Sequence, residues 1–68
     1  MDLKLIEKRS RWALINFKGR DLTFHKNQNG WDVSDDGLEK VLEIVPTIEQ
    51  FYEKFFIECI RLLREVKG

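Results

Sequence analysis

The sequence predicts an α+β domain, and three observations carry that prediction. The first half alternates apolar and polar residues in short runs separated by turn residues. The second half switches to apolar spacings of three and four, the period of a helix. The connections between the short runs are too brief for anything but antiparallel pairing. The expected architecture is an antiparallel three- to four-stranded β-meander over residues 1–33, followed by a short helix over 34–45. A long C-terminal amphipathic helix over 47–67 then packs on one face of the sheet.

The first strand spans residues 2–8, where Leu3 and Leu5 alternate with Asp2 and Lys4 and Ile6 blurs the face. Lys8-Arg9-Ser10-Arg11 is a polar connection. Residues 12–18 form a second strand with Ala13, Ile15 and Phe17 on one face and Trp12 and Leu14 on the other. A strand apolar on both faces belongs in the middle of a sheet. Gly19 makes the next turn with a positive φ. Over residues 21–26, Leu22 and Phe24 alternate with Asp21, Thr23 and His25. Asn27-Gln28-Asn29-Gly30 is a hairpin signal, because Asn-Gly tolerates the positive φ angles of tight turns. Residues 31–33 complete the meander.

Ser34, Asp35 and Asp36 are three candidate caps for the short helix, and Asp36 with Glu39 has capping-box spacing. Leu38, Val41, Leu42 and Val45 share one face of it. The run from Val41 to Val45 is rich enough in β-branched residues to suit a strand as well, and the helix is the preferred reading. Pro46 disfavours helical geometry at Val45, and Thr47 with Gln50 forms a second capping box. Beyond it, Ile48, Tyr52, Phe55, Cys59, Leu62 and Val66 make one helical seam, flanked by Phe51, Phe56, Ile60 and Leu63. The apolar arc covers about half the circumference, wider than the ~100° stripe of an ordinary surface helix. Glu53, Lys54, Glu58, Arg61, Arg64 and Glu65 fill the polar face, with Lys54–Glu58 and Arg61–Glu65 at i,i+4; Ile57 interrupts it. Gly68 can stop the helix.

Sixty-eight residues make one domain. A chain of that length buries only roughly 60% of its unfolded surface, so a partner is a common source of extra stability. The single cysteine allows no internal disulfide, and Cys59 on the apolar helical face reads as a packed core thiol. No signal peptide or transmembrane run is visible, so a soluble, cytoplasmic protein without membrane contact is the expectation. Net charge is zero, but residues 1–26 hold seven Lys/Arg against three acids (+4) and the remainder five against nine (−4).

One run resembles an EF-hand calcium loop. Asp32, Ser34, Asp36, the Leu38 carbonyl and Glu43 stand at ligand spacing, with Gly37 at the turn. Glu39 replaces the family's branched apolar residue, and Asn27 to Gly30 exclude the entering helix. The acids are therefore read as helix-capping charge, and no metal or other cofactor is expected. His25, the only histidine, is on the polar face of its strand, and no catalytic motif is present. The expected function is thus non-enzymatic: a small protein-interaction or regulatory module. It self-associates, as a dimer, through Phe51, Tyr52, Phe55, Phe56, Ile60 and Leu63, or meets another protein there. The alternative is single-stranded nucleic-acid binding, with Arg9, Arg11, Lys18, Arg20 and Lys26 on phosphates and Trp12 or Trp31 stacking a base.

Overall fold

The computed structural model describes residues 2–65. Four strands come first: β1 (Leu3–Lys8), β2 (Trp12–Phe17), β3 (Arg20–Asn27) and β4 (Gly30–Val33). They form one antiparallel sheet in the order β1-β2-β3-β4. Helix α1 (Asp35–Leu42) follows, and then a continuous helical rod of three parts: α2 (Ile48–Phe51), a π-helical turn (Tyr52–Phe56) and α3 (Ile57–Glu65). The fold is therefore α+β, with the long C-terminal helix on the sheet. Val66 and Gly68, expected to close the helical seam and stop the helix, lie outside the described residues, as does Lys67.

The pleat decides the core. Leu3, Ala13, Ile15, Phe17, Leu22, Phe24 and Val33 occupy one face of the sheet and are all buried. In β1 the pairing slips between Leu5 and Glu7, which makes Ile6 an extra bulge residue. Leu3 and Leu5, before the bulge, hold the inner face by alternation, Ile6 stays half exposed, and after it Lys8 rather than Glu7 stands opposite Ala13. The opposite face carries Lys4, Asn16, Asp21, Thr23 and His25, with Trp12 still 38% exposed.

Two turns fix the register. Lys18 (φ 49) and Gly19 (φ 90) form a two-residue loop between the paired Phe17 and Arg20. Both angles are positive, as a primed turn requires. The second hairpin differs from the Asn-Gly expectation. Its loop residues are Gln28 and Asn29, and the positive angle falls on Gly30 (φ 119) alone. The Asn27 side chain accounts for this, since its Oδ1 accepts the Asn29 N–H at 2.8 Å and sets the turn as an Asx turn.

The cap of α1 is Ser34, whose Oγ accepts from the Gly37 N–H at 3.0 Å, rather than Asp36. The helix ends at Leu42, three residues before the expected boundary, although Val45 N–H still reaches the Val41 carbonyl. Residues 41 and 42 are helical, so the strand alternative does not hold there. Helix α1 lies along β3 beyond the end of β4: Ser34 N–H bonds the Thr23 carbonyl and Lys40 Nζ the Asp21 carbonyl. It thereby covers an edge that would otherwise present unpaired backbone. Thr47 caps the long helix as expected, accepting the Gln50 N–H at 3.1 Å.

The π-helical turn changes which helical residues face the sheet. From Phe51 to Leu63 an α-helix would advance about 120° beyond whole turns, at about 100° per residue. A π turn takes in one extra residue and cancels most of that advance. Phe51, Cys59 and Leu63 therefore stay on one line and are fully buried. Tyr52 and Leu62, expected in the seam, sit at its margins and are only half-buried.

Candidate functional site

The inner side of the long helix is committed to the fold. Phe17 meets Phe51 and Phe55 with ring centroids 5.7 and 4.8 Å apart, and Phe24 stacks on Phe56 at 6.3 Å. Phe51 and Leu63, expected at an intermolecular interface, are thus core residues. Tyr52, Phe55, Phe56 and Ile60 remain half-buried. The Tyr52 hydroxyl donates to Asp32 Oδ1 at 2.9 Å, which ties the helix to edge strand β4. Burial first, then that bond to a carboxylate and its charge, push the phenol up to about 12. Burial, with Glu58 adding to it, likewise pushes the Cys59 thiol up to about 12, away from thiolate reactivity.

The outer side of the helix carries a different pattern. Ile57 is 58% exposed, the most exposed large apolar side chain among the described residues. With Phe56, Ile60, Arg61, Arg64 and Glu65 it lines an open trough of about 470 Å³. Glu53 precedes Ile57 by four residues and Arg61 follows it by four, and both are exposed. The pairs Lys54–Glu58 and Arg61–Glu65 do not close; Lys40–Asp36, at 3.3 Å, is the i,i+4 bridge formed among the described residues. The first of them spans the end of the π turn, which alters i,i+4 geometry, and exposed pairs of this kind gain only ~0.3–0.5 kcal/mol.

The five residues expected to contact phosphates separate into two groups. Lys18 and Arg20 belong to the β2–β3 turn. Lys18 Nζ lies 5.1 Å from the Phe55 ring centroid, and Arg20 pairs with Glu43 at 3.2 Å. At the other end of the sheet, Arg9 and Arg11 lie in the β1–β2 connection and Lys26 is next to last in β3. Lys26 and Trp31 are a cross-strand pair on the helix-bearing side. Trp12 is paired with His25 on the opposite face, so the two tryptophans do not share a surface. Arg64, from the C-terminal helix, joins Lys26 and Trp31 around a groove of about 320 Å³. Its arrival there leaves no trace in local sequence, because it depends on the direction the helix takes over the sheet.

The calcium-loop oxygens are already placed apart. Asp32 serves Tyr52 and the Val33 N–H, Ser34 caps α1, Asp36 bridges to Lys40, and Glu43 holds Arg20. Three or more metal-ligating side chains do not cluster among the described residues. His25 is exposed and stands opposite Asp32, whose carboxylate the tyrosine occupies. Among the described residues no helix is long and apolar enough to cross a membrane. No protein-family model, curated protein or solved structure matches the chain.

Proposed function

We propose that the chain is a non-enzymatic protein-interaction module that pairs with a second copy through the outer stripe of its C-terminal helix. The supporting observation is Ile57, apolar and 58% exposed, with Glu53 one turn before it and Arg61 one turn after. A two-fold axis passing Ile57 runs the two helices antiparallel. It then sets each Glu53 opposite the partner's Arg61 and brings the two isoleucines together over Phe56 and Ile60. One residue order thus serves both copies with complementary charge. An interface of standard size takes roughly 800 Å² from each partner. That is about a sixth of the 4799 Å² this chain exposes, so residues beside the helix contribute as well. The reading moves the interface from Phe51 and Leu63, which hold the sheet, to the neighbouring Phe56, Ile57 and Ile60.

Sedimentation equilibrium from low to high micromolar concentration tests it. A dimer is expected in the wild type, and a folded monomer in Ile57→Glu, because Ile57 takes no part in the core. Glu53→Arg or Arg61→Glu alone weakens the dimer, and the two together restore it. A wild-type chain that stays monomeric at high micromolar concentration overturns the reading and leaves the stripe to a different protein. A double variant no better than either single variant removes the antiparallel arrangement.

A further inference from the structure

We infer that the cationic end of the sheet is a binding site for single-stranded nucleic acid, with phosphates held by Arg11 and Lys26 and a base stacked on Trp31. Three shallow grooves meet there. One of about 650 Å³ runs from Ser10 and Arg11 to Asn27 and Gln28, past Lys26. One of about 320 Å³ continues along Trp31 to Arg64. One of about 190 Å³ returns to Arg9 and Ser10. Lys26 lines all three, and Trp31 lines two of them. Among the described residues no acidic side chain lines any of the three, although the chain has as many acids as bases overall. Glu7 is bonded to Arg9 at 2.7 Å, and Asp32, next to Trp31 in sequence, accepts from the Tyr52 hydroxyl at 2.9 Å. Among the described residues the side chains of Arg11 and Lys26 have no ion-pair partner.

The chemistry favours a nucleic acid over an acidic peptide. Asn27, Gln28 and Asn29 border the cations with amide groups able to donate to and accept from base edges. Trp31 is half-buried on the edge strand β4, next to Lys26, so its ring is held while part of it faces the groove. A positive groove interleaved with a fixed aromatic ring is the pattern that tracks a single strand, because unpaired bases are free to stack. Duplex bases are already stacked and cannot use Trp31. The site borders the helix stripe at Phe56, Ile60 and Arg64, whereas Arg11, Lys26 and Trp31 lie outside that stripe.

Fluorescence anisotropy of a labelled mixed-sequence DNA single strand, titrated with the full chain at low salt, tests the site. Binding is expected, weakening as salt rises. Lys26→Ala or Arg11→Ala reduces the slope of log affinity against log salt by about 0.7 each, the value for one phosphate contact on a single strand. Lys18→Ala, at the opposite end, leaves the slope unchanged. In a Trp12→Phe background, Trp31 fluorescence is quenched by the strand, and Trp31→Ala weakens binding about tenfold or more. Should Trp31→Ala fail to fold, the exposed Lys26 and Arg11 variants and the quenching measurement carry the test. Absence of binding overturns the inference. So does a duplex bound as tightly as the single strand, an unquenched Trp31, or a Lys18→Ala loss equal to that of Lys26→Ala.

Discussion

The two ends of the sheet are built from similar residues and do different work. At the β2–β3 end, Phe17, Phe51 and Phe55 form an aromatic cluster, and the cations around it are engaged within the chain. Lys18 lies over two of those rings, Arg20 meets Glu43, and Lys40 meets Asp36 and the Asp21 carbonyl. At the other end, Lys26 lines one groove with Arg11 and another with Trp31 and Arg64, and among the described residues no acid lines either. The residue types are alike, and what each end receives from the second half of the chain is not. Glu43, just past the last residue of α1, is brought to Arg20 at the first end, whereas the C-terminal helix brings another cation to the second. A cation's role here is set by the helix delivered to it rather than by its own strand.

The comparison is tested most severely by removing an aromatic from each end. Phe51→Ala deletes a ring with no solvent exposure, which typically costs about 3–5 kcal/mol. A domain of this length has about 3–10 kcal/mol in all, so the variant is expected to lose a large share of its stability, read as a much lower urea midpoint by circular dichroism. Trp31→Ala removes a half-buried ring and is expected to shift the urea midpoint by clearly less. Equal shifts would mean that the cationic end is as much a part of the core as the aromatic one.

Gly37→Ala probes how closely α1 is held to the sheet between the two ends. Alanine normally stabilises a helix interior by about 0.8–1.0 kcal/mol relative to glycine. Here a Cβ would stand 2.6 Å from Val33 Cγ2 and 3.4 Å from the Thr23 carbonyl oxygen. Val33 is buried and branched at Cβ, so its Cγ2 methyl cannot swing aside without disturbing β4. Overpacking of this kind costs about 1–3 kcal/mol, and the net expectation is a lower urea midpoint. A raised midpoint would show that α1 rides more loosely and that propensity dominates.

Much of this was legible in the sequence. The four strands, the inner faces of β2 and β3, the turn at Gly19 and the Thr47 cap all depend on residues adjacent in the chain. The helical face was less legible, since a π turn has no recognised sequence signature. The spacing pointed to Tyr52 and Leu62, whereas Phe51 and Leu63 are buried. The separation of Lys18 and Arg20 from Arg11 and Lys26 was hidden for another reason, because their partners lie far away in the chain. Ile57 did carry a signal, as an apolar residue on a polar helical face.

Tyr52 is a smaller handle and reports on the helix–edge contact through pH. It is the only tyrosine, so phenolate absorbance follows it alone. Its value rises from 10.0 in the unfolded chain to about 12 in the fold. Between those values the unfolded chain binds fewer protons than the native one, so this contribution to stability is complete below pH 10 and is lost as pH rises toward 12. The expected absorbance midpoint is near 12, and one near 10 would mean that Tyr52 neither reaches Asp32 nor is shielded. Tyr52→Phe should cost about 0.5–1.5 kcal/mol, the net contribution of one hydrogen bond.

The smallest effect concerns Arg20 and bears most directly on how the two ends differ. Its guanidinium lies 3.2 Å from the Glu43 carboxylate, but both side chains are about half exposed, at 53% and 52%. Water and salt screen such a pair, and exposed bridges typically contribute about 0–1 kcal/mol. A double-mutant cycle over Arg20→Ala and Glu43→Ala isolates that coupling from helix propensity and from lost stem packing. A coupling of a few tenths of a kcal/mol is expected, shrinking as salt is added. Lys26→Ala, with no carboxylate to lose, should leave stability within about 0.5 kcal/mol of wild type at any salt. If Lys26→Ala proves clearly more destabilising than that, then the cations of the grooved end hold the fold together as well. The distinction between an engaged end and an available one would then fail, whatever the grooves bind.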